Sequence, residues 1–225
     1  MVKGNGYGFG RVRLAEIAGA WAPDEVAVGT VHELADVCAA ITSPATTVLS
    51  LTPAMHLPAD LPARSVVTVG AVEHVAALER AGVARPVAVK LESTMRRHGT
   101  DAAGLAHLVH RIVAAGLEIR EYVLHLPLPS DSYTDDRAVA EIEHWLPQLD
   151  PAFSVSLSHL PVDAYRSLCE AHPHRSFGLR AGTALWHGDK SALHLSADVL
   201  DVRPVEAGEP VGYRQAPAPD AVEWR

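Results

Sequence analysis

Seven short runs of β-branched and apolar residues recur along this chain, and longer amphipathic stretches separate most of them. This alternation constrains the fold more than any other feature. The runs are 25–29 (EVAVG), 46–51 (TTVLSL), 65–70 (SVVTVG), 86–92 (PVAVKLE), 119–126 (IREYVLHL), 153–160 (FSVSLSHL) and 175–182 (RSFGLRAG). Each has strand length and is bounded by turn-forming residues. Between them lie the helical patterns VHELADVCAAI, AVEHVAALERAG, DAAGLAHLVHRIVAAG, DDRAVAEIEHWLPQL and VDAYRSLCEAHP. In the third of these, Leu105, Leu108, Val109, Ile112 and Val113 recur at helical spacing, Asp101 is the expected N-cap and Gly116 the expected stop. Strands that alternate with helices need right-handed crossovers and build a parallel sheet.

An eighth strand is expected from the stub MVK at 1–3, with RVRLAEIAGAWA as its helix. The expected class is therefore α/β, a TIM-type (β/α)8 barrel with an incomplete first strand. Its chemistry would sit where strands end and loops begin. An open doubly wound sheet is less favoured, because no point is visible where the strand order must reverse. After Gly182 the helical patterns stop and SALHLSADVLDVRPVEAGEPVGYRQ alternates like strand. Residues 1–188 are read as the barrel, and 189–225 as the beginning of a β-rich second domain.

Composition removes several functional classes. Lys and Arg number 19 and Asp and Glu 27, a net charge of 19 − 27 = −8 with the positive groups spread along the chain, which speaks against a nucleic-acid surface. Cys38 and Cys169 give neither a disulfide framework nor a thiolate pair for metal, and the 13 histidines are scattered, so no metal is expected. No stretch approaches the roughly 18 apolar residues of a membrane span, and no secretory pattern opens the chain. A reducing cytoplasm is the expected setting.

The stretch VKGNGYGFG (2–10) places a glycine at every second position, which marks a loop that takes positive φ or lets its backbone approach something closely. It lacks the dinucleotide fingerprint. Lys3, at the end of the expected stub strand, points to the barrel mouth, where a lysine amine suits Schiff-base chemistry. Taken alone, it reads more readily as a surface lysine near a chain terminus.

The same stretch resembles the pyridoxal-phosphate lysine motif of alanine racemases, V-K-A-N-A-Y-G-H-G, with Gly4 and Gly6 in place of alanine and Phe9 in place of histidine. The resemblance implies that Lys3 forms the aldimine with pyridoxal 5'-phosphate and that Tyr7 binds the cofactor phosphate. Three further segments match in family order. VAVKLESTMRRHG (87–99) resembles the strand and loop that put Arg97 on the cofactor's phenolic oxygen and make Lys90 the lysine that is often carbamylated; Glu92, Ser93 and Thr94 stand where Asp, Thr and Gly are usual. YVLHLPLPSD (122–131) implies that His125 lies beside the pyridine ring. FGLRAGTALWHG (177–188) implies that Arg180 faces the pyridine nitrogen and that the backbone of Gly182 and Thr183 contacts phosphate, with Ala181 and Trp186 replacing the usual Pro and Tyr. Ser158 is the candidate for the family's phosphate-binding Asn-Ser pair, its asparagine being absent.

From the residues alone, Arg97 beside Arg96 also reads as a solvated loop, and His125 as a core histidine. Arg180 and Lys90 sit within apolar strands and need an acceptor or, for Lys90, a chemical change that removes its charge. The resemblance implies a racemase acting on a small amino acid, with L- and D-alanine as the default pair. Lys3 is then the base on one face and a partner-subunit tyrosine the base on the other, in a homodimer. Measured against the family, the chain reads as trimmed at both ends, so cofactor binding with little racemisation is expected. A non-catalytic pyridoxal-phosphate homeostasis protein and a non-enzymatic barrel remnant remain the alternatives.

Overall fold

The computed structural model describes residues 1–191, 194 and 196–219. It divides into two compact units, Met1–Gly188 and Asp189–Arg225. In the first unit seven strands pair in parallel in their sequence order: β1 Glu25–Val28, β2 Thr47–Ser50, β3 Ser65–Val69, β4 Val87–Leu91, β5 Ile119–His125, β6 Ser154–Ser158 and β7 Phe177–Leu179. Every one falls inside a run read as strand from the sequence. The helices are α1 Lys3–Gly6, α2 Arg11–Ala20, α3 Leu34–Ala40, α4 Val72–Arg80, α5 Ala102–Ala114, α6 Asp135–Trp145, α7 Val162–Ala171 and α8 Thr183–Trp186. Asp101 caps α5 through the Gly104 N–H at 2.7 Å, and Gly116 takes φ +68° just beyond the last turn.

The result is a curled, half-barrel sheet with helices between its strands, and its core has two layers. The larger packs the outer face of the sheet against the helices, with Leu34, Leu78, Leu108, Ile112 and Ile142 buried. The smaller joins Ala27, Leu49, Val66, Ala88 and Val123 from five successive strands. The period of two that sends alternate side chains to opposite faces accounts for both.

The stub does not become the expected eighth strand. Met1 and Val2 are irregular and Lys3–Gly6 is a helical turn, because Gly4 (φ +63°) and Gly6 (φ +54°) turn the chain into conformations that a strand does not use. Val2 is nonetheless fully buried and its N–H donates to the Ala27 carbonyl at 2.8 Å, a single rung beside β1. A cavity of about 620 Å³ is lined by residues of both outer strands, β1 and β7, and contains the carboxyls of Glu25 and Glu121.

Burial, and then the neighbouring Glu121, pushes Glu25 up to about 9; burial also raises Glu121. The folded state therefore keeps a proton that the unfolded chain, with an ordinary glutamate value of 4.5, releases earlier. The contribution of this group to stability is fully present below that ordinary value and is lost as pH rises toward about 9. The thermal midpoint of the unaltered chain relative to that of Glu25→Gln should therefore fall as pH rises across this window.

In the second unit the described residues contain one antiparallel pair, β8 Pro210–Val211 with β9 Ala216–Pro217. The expected β-rich stretch runs on to residue 225, and residues 220–225 lie outside those described. Among the described residues no helix is long and apolar enough to cross a membrane.

Candidate active site

The C-terminal ends of the strands converge on a pocket of about 220 Å³. Lys3, Lys90, Arg97, His98, His125 and Arg180 all reach its wall, together with apolar and backbone groups and without a carboxylate. Four chain segments, separated by up to 177 positions from Lys3 to Arg180, are thus brought to one place. Such a concentration of cations favours an anionic ligand.

Lys90 occupies β4 and is 5% exposed. Burial first, then the charges of Arg180 and Arg97, lower its pKa to about 7. Its amine has no hydrogen-bond or ion-pair partner among the described residues, so a substantial fraction is neutral near neutral pH.

The loop after β4 settles the double arginine. Arg96 turns to solvent and pairs with Glu92 at 3.2 Å, while Arg97 faces the pocket. The loop folds back so tightly that the Thr100 N–H reaches the Lys90 carbonyl (2.9 Å) and the Glu92 N–H reaches the Thr100 carbonyl (2.8 Å). Only glycine fits at position 99: its φ is +118°, and a Cβ there would lie 2.6 Å from the Glu92 nitrogen and the Leu91 carbonyl carbon. The residues that depart from the family pattern also anchor the loop. Ser93 Oγ donates to the His125 carbonyl (2.7 Å), and the Thr94 N–H and hydroxyl donate to Glu141 (2.7 and 2.9 Å).

His125 ends β5 and hydrogen-bonds through Nδ1 to Ser158 Oγ at 2.9 Å, with the His159 ring 4.7 Å away. Burial, followed by Lys90, His159, Arg180 and Arg97, lowers its pKa to about 3, so the imidazole is neutral near pH 7. Ser158 is fully buried against this ring, not on the pocket wall. Arg180 follows β7, is 8% exposed, and donates to Ser156 Oγ (2.7 Å) and the Leu124 carbonyl (2.9 Å), while its Nε is buried without a partner among the described residues. It stays protonated, although burial lowers it to about 10. Because it lines both the mouth pocket and the cavity holding Glu25 and Glu121, its guanidinium forms a wall between them.

Tyr7, four residues after Lys3, meets Gly182, two residues after Arg180. A Cβ at Gly182 would lie 2.1 Å from the Tyr7 hydroxyl oxygen, so the absent side chain is what admits the phenol. That hydroxyl is buried with no hydrogen-bond partner among the described residues. The first N–H groups of α8, beginning at Thr183, have no intrahelical acceptor.

A family model described as "Alanine racemase, N-terminal domain" matches residues 1–188. The chain belongs to that family. No curated protein matches it. Among solved structures, this racemase-family domain is similar to alanine racemase from Oenococcus oeni at 19% identity and a TM-score of 0.66, covering 82% of this chain and 55% of that one. It is similar to alanine racemase from E. faecalis at 19% identity and a TM-score of 0.61, covering 98% and 64%. It is also similar to an arginine decarboxylase from Paramecium bursaria Chlorella virus, solved with agmatine, at 9% identity and a TM-score of 0.54, covering 76% and 54%. These likenesses show the fold, and the chain spans 54–64% of the length of the three structures.

Sequence reasoning about this racemase-family domain missed three groups. Ser156 holds Arg180, the Glu25–Glu121 pair lies behind it, and Glu33 sits against the lysine loop. Alternation along β5 puts Glu121 on the same face as His125, a signal that was available. Nothing local announces that residues 25 and 121 meet.

Proposed function

We propose that this chain binds pyridoxal 5'-phosphate at the barrel mouth through Lys3 and serves amino-acid racemisation of the alanine racemase type. The observation that carries this reading is the convergence of Lys3, Lys90, Arg97, His125 and Arg180 on one pocket at the strand ends. When bound, the coenzyme supplies an aldehyde for an amine and an electron-withdrawing ring that eases loss of an α-proton.

The residues divide the work. Tyr7 and the N–H groups of Gly182 and Thr183 would hold the phosphate, a role the orphaned phenol and the missing Cβ support. Lys3 would be the amine that holds the coenzyme and, when free, the base positioned to take an α-proton on its own face. Arg180, a cation kept in place by Ser156 and Leu124, opposes protonation of the ring nitrogen. Arg97 and neutral His125, the latter held in orientation by Ser158, would line the coenzyme's ring site. Carbamylation of Lys90, in which its neutral amine adds to carbon dioxide and loses a proton, would give Arg97 an anion beside it in a pocket that otherwise has none.

The pocket wall holds no tyrosine among the described residues. Proton transfer from one face alone exchanges the α-hydrogen without inverting the centre. In heavy water with pyridoxal 5'-phosphate, bicarbonate and L-alanine, deuterium should enter Cα with little D-alanine formed, and intact mass should show a bicarbonate-dependent addition on Lys90. Fast inversion would contradict the one-face account, and absence of the added mass would remove the carbamate. The runner-up, a non-catalytic coenzyme-binding protein, predicts binding without exchange. The barrel boundary at 188, a homodimer and a cytoplasmic setting belong to the same proposal; the particle mass in solution tests the dimer.

A further inference from the structure

Lys3 stands in a loop whose sequence departs from the family motif on its C-terminal side, at Gly4 and Gly6. Gly4 takes φ +63° and ψ −133°, a conformation that an L side chain rarely adopts, and nothing lies within 4 Å of where its Cβ would be. Steric exclusion therefore does not hold the loop in this shape. Hydrogen bonds do.

The peptide that follows Lys3 is gripped at both ends of Gly4. Its N–H donates to Glu33 Oε2 at 3.0 Å, and the same oxygen accepts the Gly29 N–H at 2.9 Å, tying the lysine loop to the end of β1. The Gly4 carbonyl accepts from Arg11 Nη1 at 2.7 Å, and Arg11 Nη2 is held in turn by Asp36 Oδ2 at 2.5 Å. Both carboxylates come from the turn and helix that follow β1, and Arg11 comes from the start of α2. On the other side of Lys3, Val2 is fixed by the Ala27 carbonyl. Lys3 itself is left without a hydrogen-bond or ion-pair partner among the described residues, its backbone bracketed and its amine free. Hydrogen bonds with one ionised partner are the strong kind, and two converging on one carboxylate oxygen define direction as well as distance.

We propose that Glu33, assisted by the Arg11–Asp36 pair, is a positioning clamp that fixes the peptide after Lys3 and so aims the lysine amine into the mouth pocket. This rests on reading Lys3 as the amine that captures the coenzyme aldehyde. Glu33 touches neither coenzyme nor substrate, and its role is to hold the residue that does.

Two ligands separate aiming from general folding: pyridoxal 5'-phosphate, and 4'-deoxypyridoxine 5'-phosphate, which offers the same phosphate and ring but no aldehyde. Glu33→Ala is expected to weaken the first at least about tenfold, the scale of one lost charge-assisted hydrogen bond, while leaving the second within about twofold. Glu33→Gln, whose amide oxygen can still accept both N–H groups, should restore the unaltered chain's affinity for the aldehyde. Equal weakening of both ligands, or full affinity for the aldehyde in Glu33→Ala, would overturn the clamp. Should Glu33→Ala fail to fold, Arg11→Met combined with Asp36→Asn frees the Gly4 carbonyl and is read by the same ratio. If the unaltered chain binds the analogue but captures no aldehyde, the reading of Lys3 falls and the clamp with it; a clamp that fails alone leaves capture by the unaltered chain intact.

Discussion

Lys3→Ala is expected to abolish covalent capture of pyridoxal 5'-phosphate while leaving the fold and the non-covalent phosphate site in place. The side chain is only half-buried and makes no hydrogen bond or ion pair among the described residues, so its truncation costs little stability, within roughly 0.5 kcal/mol as for other surface changes. Gly182 and Thr183 lie after β7, and Tyr7, four residues beyond Lys3 in the same loop, makes no contact that needs the Lys3 side chain, so all three keep their geometry. The visible absorption band that appears when the unaltered chain is mixed with the coenzyme should therefore be missing in the variant, whose melting temperature should match. A band of full intensity in Lys3→Ala would place the chemistry on another amine.

The second large effect is expected at Arg180, in stability more than in chemistry. Its guanidinium lies 8% exposed, bonded to Ser156 and to the Leu124 carbonyl, and its charge lowers the cost of a negative charge on Glu25 and Glu121. Arg180→Ala leaves the buried Leu124 carbonyl and Ser156 without their Arg180 donor and removes one of the two cations, with Arg120, that act on Glu25 and Glu121, a loss of about 1–3 kcal/mol on the scale of a buried polar group left unpaired. The same deletion removes one of the charges that depress His125 and Lys90, so both pKa values should rise part of the way back, burial remaining the larger cause. Denaturant titration reads the first effect and proton NMR of His125 across acid pH reads the second. A variant as stable as the parent, with His125 still at about 3, would contradict this electrostatic picture.

The barrel strands were legible because their signal is local. Runs such as TTVLSL and SVVTVG are β-branched, short and bounded by turn residues, and each encloses an observed strand. The stub MVK misled because its strand reading ignored the glycines that follow, whose positive φ turns residues 3–6 into a helical turn. In 189–225 the alternation of SALHLSADVLDV promised strands, yet the described residues pair only at 210–211 and 216–217; a strand needs a partner, and pattern alone does not provide one.

The site was legible in its side chains and not in its supports. Lys3, Arg97, His125 and Arg180 were named from the motifs and meet at one pocket. Ser158 was named too, but its hydroxyl is committed to His125. The Glu141 that anchors Thr94, the Ser156 that holds Arg180 and the Glu33 behind the lysine loop act across 47, 24 and 29 positions of sequence. Contacts at that separation depend on the closed fold and leave no mark in spacing.

The chain holds three lysines, Lys3, Lys90 and Lys190, and two of them line the mouth. Lys90, depressed to about 7 by burial and by Arg180 and Arg97, is a credible competitor for an aldehyde on chemical grounds alone. Incubation with pyridoxal 5'-phosphate, reduction with borohydride and mass mapping of the peptides decides between them. The account predicts the coenzyme's mass on the peptide containing Lys3 and an unaltered peptide containing Lys90; the mass on Lys90, or on neither, would contradict it.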